Sequence, residues 1–120
     1  MASKTRLIVH LTDEEIWNEA KRIGEYRPDS LTAQGFIHCS TPDQYVLVAN
    51  YIYKGRKNLV LLSIDSSKVK PEIRYKSVGD RFYPHIYGPL NLDAVVKVPQ
   101  KFRPRVDGTF NPLPEESLST

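Results

Sequence analysis

Three histidines are the residues best suited to chemistry near neutral pH, because the unperturbed imidazole titrates there. They stand at His10, His38 and His85, each following or interrupting an apolar run with polar or turn-forming residues close behind. His10 lies in Leu7-Ile8-Val9-His10-Leu11-Thr12, and His85 in Tyr83-Pro84-His85-Ile86-Tyr87-Gly88-Pro89-Leu90. His38 lies in Gly35-Phe36-Ile37-His38-Cys39-Ser40-Thr41-Pro42, the stretch around which the chain is organised. There an apolar pair delivers a histidine, a thiol and two hydroxyls to a strand-to-helix junction. Thr41 is placed as a helix N-cap, Pro42 at the first helical position, and Gln44 completes a capping box. A helix N-terminus beside a strand end offers free N–H donors to an anion. One site fed by three elements is therefore expected, with His10, His38 and His85 as its acid–base groups.

Three imidazoles and a water would suit zinc, but positions 10, 38 and 85 share no short ligand spacing, and no metal is expected. His10-Leu11-Thr12 and His38-Cys39-Ser40 repeat the pattern His-x-Thr/Ser, which resembles the two-histidine phosphoesterases. In those enzymes such motifs bracket a phosphodiester as acid and base. Here the motifs stand close together, and the chain is short for that duplicated fold. His38 is poorly placed to activate Cys39, since neighbours on a strand point to opposite faces, so Cys39 reads as a small buried hydrophobe.

The chain has 120 residues, 40% hydrophobic and 26% charged, which predicts one globular domain with one core. No apolar run approaches the roughly 20 residues that span a bilayer. The N-terminus lacks the apolar core of a signal peptide, and a lone cysteine fits a reducing compartment. A cytoplasmic protein with no membrane partner is expected. The net charge is +3 and uneven, with eight cations against three carboxylates between Lys54 and Arg81. A field of that sign favours phosphate-bearing ligands, either a small nucleotide or RNA. Oligomeric state is open.

The elements that must position the histidines can be read in order. Arg6 to His10 is a buried strand. Thr12-Asp13-Glu14-Glu15 opens a helix that buries Ile16, Trp17, Ala20 and Ile23 and stops at Gly24. Glu25 to Gln34 reads as a polar loop, a candidate rim. A second helix runs from Pro42 to about Tyr53, ended by Gly55. Asn58 to Asp65 is the clearest strand, Glu72 to Lys76 a more exposed one, Tyr83 to Tyr87 a short one, and Asp93 to Val98 the last. Residues 1–98 form the domain, and 99–120 read as a Pro-rich, loosely attached or disordered tail. Two early helices and then a run of strands predict an α+β fold with a mostly antiparallel sheet.

Several of these stretches carry a resemblance. Val9-His10-Leu11-Thr12, Gly24-Glu25-Tyr26-Arg27-Pro28, Gly35 to Ser40, Leu61 to Asp65 and Pro84 to Leu90 resemble domain-of-unknown-function family nine-five-two across about residues 6 to 98. That family is uncharacterised, and it distantly resembles the ADP-ribosyltransferase fold, whose members bind NAD in a cleft of a split sheet. The resemblance implies NAD as co-substrate, held by His10, Thr12 and Ser40 or His38. It implies Arg27, Arg74 or Arg81 at the phosphates, and His85 or Tyr87 where many transferases place a catalytic glutamate. Lys76 follows Tyr75 where that pattern often has an acidic residue. This points away from protein ADP-ribosylation and towards phosphate transfer from RNA. Three readings follow: an NAD-dependent transferase with a three-histidine cleft, a non-catalytic nucleotide or peptide binding module, and a two-histidine phosphoesterase.

Overall fold

The computed structural model of the chain describes residues 7–114. Its elements are β1 (Leu7–Asp13), α1 (Glu14–Ile23), β2 (Glu25–Tyr26), α2 (Asp29–Gln34), β3 (Ile37–His38) and α3 (Tyr45–Ile52). There follow β4 (Leu59–Asp65), β5 (Ile73–Val78), β6 (Arg81–Ile86), β7 (Leu90–Asn91) and β8 (Gln100–Phe102). The fold is α+β, and every strand pairing in it is antiparallel.

The unbroken apolar run of β4 fits its place at the centre of the sheet β1-β4-β8, with apolar side chains on both faces. Period-two alternation sends Ile8 to one face, where it packs with Trp17, Ala20 and Tyr26. Val9 and Leu11 point to the other, against Tyr45 and Ala49 of α3. A second sheet, β3-β6-β5, sets His38 directly opposite His85. The segment after His38 leaves that sheet, and Ser40 pairs with Val9 of β1 instead, N–H to O in both directions at 2.8 and 2.7 Å. Among the described residues strand β2 pairs only with β7.

Several expectations are corrected. Among the described residues there are three helices, not two. The expected loop from Glu25 to Gln34 is β2 followed by α2, which starts behind Pro28 and stops at left-handed Gly35 (φ 89°). The strands form three separate small sheets, and nothing in them identifies a transferase-type split sheet. Thr12 does not cap α1, because it is still paired within β1. Asp13 stands at the cap, its carboxylate turned to Arg56 at 3.2 Å, while Glu14 N–H reaches Asn58 O. Only Trp17 and Ala20 of the expected α1 face are buried, leaving Ile16 and Ile23 exposed. Thr41 to Gln44 form a turn before α3 rather than its first turn. Asp93 to Val98 is a 3-10 turn with a single bridge from Val95 to Ile64.

The expected loose tail is also overturned as far as residue 114. Gln100 to Phe102 is the third strand of the β4 sheet, and Phe102 and Phe110 are buried and stacked on each other. Arg6 and residues 115–120, which the strand and tail expectations include, lie outside the described residues.

Candidate functional site

A cavity of about 730 Å³ opens where β1 and β3 part beyond the Val9–Ser40 bridge, with α3 as one wall. Five consecutive residues, Val9 to Asp13, line it. Successive side chains of a strand point to opposite faces, so a cavity that touches all five meets the strand along its edge. Val9 gives its outward N–H and C=O to Ser40. By antiparallel alternation the next outward pair belongs to Leu11, and no backbone group of the described residues bonds it there. The walls are largely apolar, and Leu47, Tyr51, Ile52 and Val78 carry that character onto an exposed rim.

His10 lies on the floor with both ring nitrogens engaged. Nδ1 lies 2.5 Å from the His38 carbonyl, and Nε2 lies 2.6 Å from the Tyr26 hydroxyl. A carbonyl only accepts, so Nδ1 carries the proton, Nε2 is the acceptor, and the Tyr26 O–H donates to it. The nearby Thr12 hydroxyl partly offsets the effect of burial on the Tyr26 phenol. The chain of bonds runs Tyr26 to His10 to the His38 carbonyl. Burial lowers the His10 pKa to about 4, outweighing the carbonyl bond, which favours the protonated ring. The same burial raises the Tyr26 phenol and the Cys39 thiol well above their ordinary values.

His38 and His85 are held differently. His38 donates Nε2–H to Gln34 Oε1 at 2.6 Å. His85 stacks on Phe36 with ring centroids 4.2 Å apart, and the edge of His38 meets it at 5.1 Å. Burial lowers the pKa of both, and for His85 the nearby His38 and Lys76 lower it further. The buried Nδ1 of His85 has no hydrogen-bond partner among the described residues.

The three histidines border one cavity without forming one reaction centre. Among the described residues no three His, Cys, Asp or Glu side chains gather as an ion or a catalytic cluster would need. His10, locked between two protein partners and held neutral, is not available as an acid or base. That overturns the expected three-histidine cleft and the NAD-dependent transferase built on it. Of the expected cofactor-binding residues, Thr12 and Ser40 line the cavity. Arg27 does not; it pairs with Glu25 at 2.7 Å on the surface. Arg74 pairs with Glu72 at 2.8 Å and lies over the Tyr87 ring, away from the cavity lining. Sequence reasoning missed Tyr26 as the partner of His10 and Leu11 as an open edge, because both depend on contacts distant in the chain.

Replacing Tyr26 with Phe should cost about 1–3 kcal/mol in urea denaturation, since it leaves His10 Nε2 buried without its donor. A loss below a few tenths would show that water fills the position.

Comparison with known proteins adds a family and a fold. A family described as "Protein of unknown function (DUF952)" matches residues 11–98. The crystal structure of CC0527 from Caulobacter crescentus is 28% identical, with a TM-score of 0.80, over 88% of this chain and 93% of that one. The solution NMR structure of CC0527 gives 26% identity and a TM-score of 0.75, over 88% and 92%. No curated protein matches. Among the described residues no helix is long and apolar enough to cross a membrane.

Proposed function

The chain belongs to the DUF952 family of proteins of unknown function, and from that premise we propose that it is a non-catalytic binding module whose cleft receives an extended peptide. The observation that carries this reading is the edge of β1. A strand edge with an open N–H and C=O at Leu11, facing an apolar cavity, is suited to strand addition, in which backbone bonds give affinity and side-chain pockets give selectivity. The apolar rim at Tyr51 (89% exposed) and Ile52 (62% exposed) would cover itself on such a ligand.

The nucleotide form of the module is less well supported. Phosphate recognition needs free cations or backbone donors. Arg56 is the only lysine or arginine among the lining residues, and it is paired with Asp13 at 3.2 Å. Catalysis also lacks support, because His10 has no free nitrogen.

Selection from a random hexapeptide library should yield binders that shift the Leu11 amide and the Leu47 and Val78 methyls in NMR spectra. Methylating the peptide nitrogen that faces the Leu11 carbonyl should weaken binding about tenfold. A library without binders, or AMP shifting these same resonances while peptides do not, would overturn the reading.

A further inference from the structure

We propose that the cleft recognises the free C-terminus of its peptide, with the terminal carboxylate seated against Ser40 and His85 at the closed end of the groove. The inference rests on the peptide reading above and adds the direction and chemical class of the ligand.

The groove along β1 has one closed end. Ser40 already fills the pairing position at Val9, so an added strand starts at Leu11 and extends only towards Asp13. A strand running antiparallel to β1, as both β4 and the Ser40 segment do, would enter beside Asp13 and finish beside Leu11. Its last group is then a carboxylate pointing at Ser40. A peptide passing through would have to displace the two Val9–Ser40 hydrogen bonds.

The side chains at that end suit a carboxylate. His85 is only 7% exposed and lines the cavity, and its buried Nδ1 has no hydrogen-bond partner among the described residues. A neutral imidazole carries one N–H, so His85 has a donor to give. The Ser40 hydroxyl, also lining the cavity and buried, has no side-chain hydrogen-bond partner among the described residues and supplies a second donor. The Phe36 ring stacked on His85 fixes the plane of the imidazole. Among the described residues the only carboxylate lining the cavity is Asp13, which stands at the open end and is paired with Arg56. Lys76 lies on the hairpin that carries His85 and acts on its ring, adding positive field there. An incoming N-terminus would bring a cation to that field. It would also find the His38 carbonyl already bonded to His10.

The test uses two synthetic random hexapeptide libraries, one ending in free acids and one in C-terminal amides, offered in parallel to the full chain. Retention of acids with amides weaker by roughly tenfold to hundredfold is the expected result, since charge-assisted hydrogen bonds are the strong ones. Equal retention of both, or of amides alone, overturns the C-terminal inference while the peptide module stands. Retention of neither overturns both. Ser40→Ala keeps the backbone pairing with Val9, and His85→Phe keeps the stack on Phe36. Each should reduce the preference for acid over amide at least several-fold, weakening the acids more than the amides. Since His85 is buried, Ser40→Ala decides the matter if His85→Phe fails to fold. An undiminished preference in Ser40→Ala overturns the assignment.

Discussion

A chain ended at Pro99 should fail to fold cooperatively, giving no urea transition and no dispersed amide spectrum. The cut removes β8, which supplies the outer pairing of β4 at Leu59, Val60 and Leu61. It also removes Phe102 and Phe110, which are 1% and 2% exposed. These rings stack at 4.7 Å, and Phe102 meets Tyr45 of α3 at 5.5 Å. Between them they close the cluster that holds Val9 and Leu11 against α3. Truncating one buried Phe to Ala costs about 3–5 kcal/mol, whereas a whole domain is stable by only about 5–15 kcal/mol. Phe102→Ala alone should therefore take up a large part of the stability, and loss of both rings with β8 should exceed it. A truncated chain that keeps a cooperative transition near that of the full chain would show that β8 is an accessory to the core. Binding at the cleft should fail with it, since α3 would no longer be anchored beside β1.

What the sequence reveals depends on how local each signal is. β4 was legible because an unbroken apolar run needs burial on both faces, and α1 because acidic first-turn residues precede Trp17 and Ala20 and Gly24 follows. α2 gave no periodic signal, since Asp29–Gln34 holds Leu31 as its only large apolar side chain. Pro28 before it and Gly35 after it were the signs available. β8 is three residues between prolines and is held by its partner, not by its own pattern. The three histidines line the cavity, but their roles there are not legible in the sequence. Whether an imidazole is free or locked depends on Tyr26, Gln34 and Phe36, which no spacing rule links to it. The open edge at Leu11 is less local still. It exists because Ser40 pairs with Val9 while His38, two residues earlier, pairs in another sheet.

That lock has a consequence for acid stability. His10 is held at a pKa of about 4 in the fold, against 6.5 when it is free. Above pH 6.5 the ring is neutral in both states and its hydrogen bonds to the His38 carbonyl and Tyr26 are intact. As pH falls from 6.5 the unfolded chain takes up a proton that the folded one refuses, so stability falls with pH. The loss levels off only below pH 4, where both states are protonated. A difference of this size corresponds to about 3 kcal/mol. His38 and His85, also depressed by burial, act in the same direction. The free energy of unfolding in urea should therefore drop steeply between pH 7 and 4, and the His10 ring protons should show no titration while the protein stays folded above pH 5. A His10 ring that titrates near 6.5 in the folded chain would mean the floor of the cleft is wet. In that case the Tyr26–His10 pair would be open to solvent, and a free imidazole would return to the site.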